Sequence, residues 1–282
     1  MSSAKRLSGT SLANTIAAEL KATIFSLSQS LGKVKLVTLQ LGNEPASSSY
    51  RRSLSKTCSQ IGLEHKSIRL PCDVNIHQIS STINTLNNDT LVGGIILLTP
   101  LPSHVNNSLV ADMISPAKDV ECVTSARRAA LYSGDTTLAP ATAAAADCLL
   151  RAYDVPISGA TVAIIGRSHT VGRPLGLILI DRDATVTICH SKTANLAEIT
   201  CTCDIVISAA GVPDLVSFRH IKPGAIVLDV GTNYVGDKLT GDVDYEGVAQ
   251  IAAAISPVPG GIGPLTNLML VRNLVTLLES NN

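Results

Sequence analysis

The segment Thr161-Val-Ala-Ile-Ile-Gly-Arg-Ser-His-Thr-Val-Gly-Arg-Pro-Leu175 runs from an apolar strand pattern through Gly166 and Gly172 into a helical one. A strand that turns on glycine into a helix presents free backbone N–H groups at the positive end of the helix dipole, and such an end captures phosphate. Gly166 permits the sharp turn, although the spacing is not the usual G-x-G-x-x-G. At the end of the next strand a dinucleotide site commonly carries an acid for the ribose hydroxyls. Here the chain reads His190-Ser191-Lys192-Thr193, with no carboxylate. Arg167, Ser168, Arg173 and Lys192 are instead suited to a ribose phosphate, which points to NADP; the alternative is that they are solvated loop cations.

Positioning such groups requires alternating strands and helices. Thr161 to Ile165, Thr185 to Cys189, Asp204 to Ser208 and Ala225 to Val230 read as strands separated by helix-compatible segments, which predicts a doubly wound parallel sheet. Upstream, Leu12, Ile16, Leu20, Ile24, Leu27 and Leu31 recur at helical spacing before Gly32. Val34 to Leu41 reads as a strand, broken by Gly42-Asn43-Glu44-Pro45 ahead of a helix from about Ala46 to Ile61. Strands near Lys66 to Leu70 and Val92 to Leu97 flank another helix. The turn-rich stretch from Pro100 to Pro140 reads as the connection between domains, and Leu265 to Leu278 as a helix that packs back on the first. The predicted domains are 1–138 with 266–282, and 139–265.

Composition narrows the class. At 282 residues, 45% hydrophobic and 16% charged, the chain buries a large core and is not disordered. Twenty-two cations balance twenty-two acids and are scattered, so no field gathers a nucleic acid or an anionic membrane. The longest apolar run, Leu91 to Pro102, is too short to span a bilayer, and Met1-Ser-Ser-Ala-Lys-Arg6 leads into an amphipathic pattern with no signal core; a cytoplasmic location is expected. Seven cysteines without framework spacing predict free thiols, with neither disulfides nor metal.

The residues also carry a resemblance over nearly the whole chain, from Leu41-Gly-Asn-Glu-Pro-Ala-Ser47 to Pro257-Val-Pro-Gly-Gly-Ile-Gly-Pro-Leu-Thr266. Gly166-Arg-Ser-x-x-Val-Gly-Arg-Pro174, Asp229-Val-Gly-Thr232, Gly241-Asp-Val-Asp244 and Pro257-Val-Pro-Gly-Gly261 are similar to motifs of the bifunctional methylenetetrahydrofolate dehydrogenase/cyclohydrolases. The resemblance implies an N-terminal folate-binding half, a C-terminal NADP-binding half of Rossmann-like fold, a cleft between them and a homodimer. It places Gly166, Arg167, Ser168, Gly172, Arg173, Pro174, Ser191, Lys192, Ala210, Gly211, Gly231 and Thr232 at the cofactor. It places Tyr50, Pro100, Glu121, Pro259, Gly260 and Gly261 at the substrate, with Tyr50 and Glu121 as the residues nearest the chemistry.

Three departures bear on that chemistry. The family's helix motif Y-x-x-x-K is here Tyr50-Arg-Arg-Ser-Leu54, and leucine neither takes a proton nor holds a charge. Lys56 is no substitute, because two residues rotate a side chain by about 200° away from the Tyr50 face, and the Arg51 guanidinium stays protonated. The glutamine of G-x-x-V-Q-x-P-L-P, which supports that lysine, is replaced in Gly94-Ile-Ile-Leu-Leu98-Thr-Pro-Leu-Pro102 by Leu98. The motif K-D-V-D-G is here Lys118-Asp-Val-Glu-Cys122, so the pterin-contacting acid keeps its charge one methylene further out, and Cys122 loses a glycine's freedom.

Hydrolysis of a methenyl bridge requires a positioned group of tuned pKa. Oxidation of a methylene bridge needs positioning, because the neighbouring nitrogen lone pair expels the hydride. The expectation is therefore an NADP-dependent methylenetetrahydrofolate dehydrogenase whose cyclohydrolase activity is lost or very weak. Recruitment to a different one-carbon or imine substrate, and a non-catalytic cofactor- and folate-binding protein, stay open.

Overall fold

The computed structural model describes residues 4–280. Its strands are β1 (Lys5–Arg6), β2 (Lys35–Leu41), β3 (Glu64–Leu70), β4 (Val92–Leu98), β5 (Thr161–Ile165), β6 (Thr185–Cys189), β7 (Ile205–Ser208), β8 (Ile226–Asp229), β9 (Asn233–Val235), β10 (Lys238–Thr240) and β11 (Ala254–Ile255). The fold is α/β with parallel sheets, in two units. One comprises the described residues up to Ala13 with Ala141–Thr266; the other comprises Asn14–Pro140 and the described residues from Asn267 onward. Among the described residues no helix is long and apolar enough to cross a membrane.

The unit around Asn14–Pro140 holds a parallel sheet in the order β3-β2-β4. Strands β2 and β4 are nearly continuous apolar runs because both of their faces are covered. On one face Val37, Leu39, Ile95 and Leu97 pack with Ile79, Ile83 and Leu86 of the helix Ile76–Asn88. The other face alternates with it: Leu36 pairs with Gly94, Thr38 with Ile96 and Gln40 with Leu98. A Cβ on Gly94 would collide with Val120 and crowd Leu36 and Leu274, so glycine lets the helix Gly263–Ser280 sit close on this face. Asn273 Nδ2 ties the helix down by donating to the Val120 and Ala139 carbonyls at 2.8 Å each. Asn267 Nδ2 donates to Ser53 Oγ (3.1 Å) and Thr57 Oγ1 (3.2 Å) on the helix Pro45–Ile61, which ends at Gly62 in the left-handed conformation.

Two expectations change here. Pro100 to Pro140 is more than a connection: it contains the helices Asn107–Ala111 and Ser125–Tyr132. Its turn-forming residues are caps, since the Asn106 and Thr124 side chains accept from the Leu109 and Arg127 N–H groups, and the buried Asp119 carboxylate accepts from Val123 (3.1 Å) and Thr124 (2.7 Å). The described residues before Asn14, assigned by sequence to the first domain, belong with the other unit, because β1 pairs in parallel with β11. Two residues are too short a run for periodicity to reveal.

That other unit carries a six-stranded parallel sheet in the order β1-β11-β8-β7-β5-β6, with the antiparallel hairpin β9-β10 beside it. The chain steps from β5 outward to β6, then returns to place β7 on the opposite side of β5. Strand order reverses there, and such switch points open a crevice at the carboxyl ends of the strands. Ala163, Ile165, Val206, Val227 and Ile255 form the core beneath one face, with Val216, Val243 and Val248.

Candidate functional site

The carboxyl ends of β5, β6 and β7 border a cavity of about 480 Å³, lined among others by Gly166, Arg167, Ser168, His190, Ser191 and Ala210. Gly166 has a φ of +132°, and a Cβ there would strike the Ala209 carbonyl; a Cβ on Gly172 would strike the Gly166 carbonyl. The two glycines therefore let strand, turn and helix close on one another. The helix Gly172–Ile180 begins without a side-chain cap, although its Arg173 N–H donates to the Ser168 carbonyl at 3.2 Å; helix starts of this kind bind phosphate. Ser168 Oγ accepts from the Val171 N–H at 3.0 Å and shapes the approach to that end. At β6 the Thr193 hydroxyl accepts from the His190 N–H at 2.8 Å and His190 Nδ1 accepts from the Lys192 N–H at 3.1 Å, so the turn presents Ser191 and Lys192 to solvent. Arg173 is exposed, while Gly172 and Pro174 are buried in the helix start. A glycine cradle, an uncapped helix and an arginine at the cavity suit a phosphorylated dinucleotide.

The neighbouring strand end is built from two buried acids. Asp229 Oδ1 accepts from the Gly231 and Asp242 N–H groups (2.9 and 3.0 Å) and Oδ2 from Val243 (3.0 Å). Burial pushes its carboxyl up to about 6, with these N–H bonds opposing and the Asp242 charge adding. The Asp242 carboxylate accepts from the Ser208 hydroxyl, from the N–H groups of Ala210 (2.7 Å), Gly211 (3.1 Å) and Val212 (3.0 Å), and from Asn233 Nδ2 (2.8 Å). Sequence reasoning matched Gly241-Asp-Val-Asp244 as a motif but gave Asp242 no role. An acid inside a motif that follows a glycine-rich strand end was the available signal.

Gly231 and Thr232 line a second cavity, of about 230 Å³, together with Pro259, Gly260 and Gly261. The structure thus brings two expected cofactor residues and three expected substrate residues to one place. The loop is held by the N-terminal segment: Gly9 N–H and Ser8 Oγ both donate to the Gly260 carbonyl (2.8 and 3.3 Å), and Tyr153 OH accepts from the Ser8 N–H at 2.9 Å.

In the other unit, Tyr50 OH donates to Glu121 Oε1 at 3.4 Å. Burial pushes Glu121 up to about 7, helped by the Asp119 charge and opposed by the Tyr50 bond. Burial, with the Glu121 charge second, holds the Tyr50 phenol far above its ordinary range. Leu54 is 0% exposed and Leu98 is 4% exposed. Cys58, one further turn along the helix, is buried, and its thiol is pushed up to about 12 by burial. Lys56 is exposed, as helical rotation required. Pro100 is exposed beyond β4, where the preceding Thr99 carbonyl accepts from Ser47 Oγ at 3.1 Å. Cys122 is buried and adopts a φ of +55°, the left-handed conformation that glycine takes without strain. All seven cysteines are free.

Residues 7–121 match the catalytic domain, and residues 140–282 the NAD(P)-binding domain, of the tetrahydrofolate dehydrogenase/cyclohydrolase family. The chain is 41% identical over 276 residues, 97% of each chain, to the bifunctional protein FolD of Chloroflexus aurantiacus. It superposes on the bifunctional FolD of Campylobacter jejuni with a TM-score of 0.95 at 35% identity, covering 99% of both chains. A Trypanosoma brucei methylenetetrahydrofolate dehydrogenase-cyclohydrolase, solved with NADP cofactor and inhibitor, gives a TM-score of 0.94 at 34% identity, covering 100% of this chain and 99% of that one. By sequence and by fold, the chain belongs to the tetrahydrofolate dehydrogenase/cyclohydrolase family.

Proposed function

We propose that this protein oxidises methylenetetrahydrofolate to methenyltetrahydrofolate with NADP, and that it hydrolyses the methenyl product weakly or not at all. The observation that carries the second half is the burial of Leu54 and Leu98, two apolar side chains where the family pattern has a proton-handling lysine and its glutamine support. Neither leucine can move a proton to or from an attacking water.

NADP, when bound, takes up the hydride released from the methylene carbon. The residues of this chain bind and orient. Gly166, Arg167, Ser168, Gly172, Arg173 and Pro174 hold the phosphates, with Ser191 and Lys192 at the ribose phosphate. Ala210, Gly211, Gly231 and Thr232 shape the nicotinamide end, their loops fixed by Asp242 and Asp229. Tyr50 packs on the folate ring. Glu121 bonds its amino-pyrimidine edge; Pro100 and, in the other unit, Pro259, Gly260 and Gly261 are the further substrate residues. Orientation of this kind supplies much of the rate when the departing hydride needs no side-chain base. The protein acts in the cytoplasm as a homodimer on a small folate substrate.

Reduction of NADP by the purified protein with methylenetetrahydrofolate, followed by a separate assay of methenyltetrahydrofolate hydrolysis, tests both halves. Turnover with negligible hydrolysis is the expected result. Absence of turnover in protein that binds NADP sinks the dehydrogenase reading and favours a different one-carbon substrate; brisk hydrolysis sinks the account of Leu54 and Leu98.

A further inference from the structure

Gln40 is 3% exposed on β2, and its side-chain Nε2 has no hydrogen-bond partner. A buried amide donor left unpaired costs stability that an apolar side chain of the same length would not. Its polar neighbours on the same sheet face are provided for. Thr38 Oγ1 bonds His65 Nε2 at 3.1 Å, and Arg69, the register partner on β3, donates from Nε to the Gly42 carbonyl at 2.9 Å. The register partner of Gln40 on β4 is Leu98.

Register partners on parallel strands project to the same face, so the Gln40 amide and the Leu98 side chain stand side by side. The helix Pro45–Ile61 packs against β3, the strand beside β2. Its neighbour Gly263–Ser280, bonded to it through Asn267, lies over Gly94 and Leu36 of the same face. The Arg51 charge also bears on His65 there. The unpaired amide therefore lies in the layer that holds Tyr50, Leu54 and Leu98, next to the position where the family pattern has its glutamine.

We propose that Gln40 is a substrate-contacting residue: its side-chain amide bonds a carbonyl or ring-nitrogen acceptor on the heterocycle of the folate substrate. Gln40 thereby supplies from β2 the amide that β4 lacks at Leu98. This inference rests on the folate reading of the site.

The test is calorimetric titration of tetrahydrofolate, without NADP, into the unchanged protein and into Gln40→Met, with the melting temperature of each. Methionine keeps the length and removes the donor. The dissociation constant is expected to rise about tenfold in the variant, with no fall in melting temperature, and the KM for methylenetetrahydrofolate should rise in parallel ahead of any change in kcat. Affinity within about twofold of the unchanged protein overturns the role of Gln40. So does a lower melting temperature with unaltered affinity, which marks a structural amide. Unchanged protein that does not bind tetrahydrofolate overturns the folate reading as well, whereas binding by the unchanged protein with no effect of the variant overturns Gln40 alone. Gln40→Asn, which withdraws the amide by one methylene, is read by the same affinity criterion if the methionine variant does not fold.

Discussion

Asp242 donates its backbone N–H to Asp229 Oδ1 at 3.0 Å, so two buried acids hold adjacent loops of the cofactor half through one another. The Asp242 carboxylate accepts five hydrogen bonds, each from an N–H or O–H donor that faces it. In Asp242→Asn one oxygen becomes an NH2 group facing N–H and O–H donors. The variant is expected to lose about 2–4 kcal/mol of stability in urea unfolding. Its NADP affinity should fall as well, because Ala210 and Gly211 lose their anchor. A variant as stable as the parent would show that the loops hold themselves.

Stability should depend on pH in a defined direction. Asp229 is pushed to about 6 and Glu121 to about 7 in the folded protein, both above ordinary carboxyl values. The native state therefore holds these protons more tightly than the unfolded chain does. The resulting stability is fully present below the ordinary carboxyl range and is lost as pH rises through about 6 to 7. Each group contributes at most on the order of 3 kcal/mol across that window. Glu121→Gln, which carries no charge at any pH, should flatten part of the decline in urea midpoints measured between about pH 4 and 8. An unaltered profile would mean that Glu121 ionises as an ordinary carboxyl.

Most of the scaffold was legible because its signals are local. The helix Thr10–Leu31 announced itself by apolar spacing and Gly32, β4 by an unbroken apolar run and β2 by a mostly apolar one. What escaped was set by distant partners. Lys5–Arg6 is a strand only because β11 lies beside it, and Asp242 organises a loop some thirty residues away. Gln40 reads as one polar residue in a strand until register sets it against Leu98. The turn residues between Pro100 and Pro140 misled for a related reason, since Asn106 and Thr124 cap helices as readily as they make loops.

Cofactor choice should reside in the exposed cations of the β6 turn and the helix start. Lys192 is exposed in a turn that carries no acid for a ribose hydroxyl, and Arg173 is exposed in the first turn of the helix Gly172–Ile180. Lys192→Ala is expected to raise the dissociation constant for NADP about tenfold while changing that for NAD little, because only the phosphorylated ribose presents charge to the ammonium. Equal weakening for both nucleotides would show that the lysine meets a phosphate common to the two.

Restoring the family pattern offers the sharpest test of lost hydrolysis. Leu54→Lys alone places an ammonium where the leucine is 0% exposed, with Leu98 unable to bond it. That variant should lose about 3 kcal/mol or more and gain little activity. Adding Leu98→Gln supplies an acceptor, so the double variant should recover part of the stability, and the two changes should couple by about 1 kcal/mol or more in a double-mutant cycle. Methenyltetrahydrofolate hydrolysis should then appear in the double variant and in neither single one, because the lysine needs its support to hold a useful orientation and protonation state. If the pair couples yet hydrolysis stays absent, the loss extends beyond these two positions. Glu121, whose carboxyl reaches one methylene further than an aspartate and is tied to Tyr50, is then the next residue to restore.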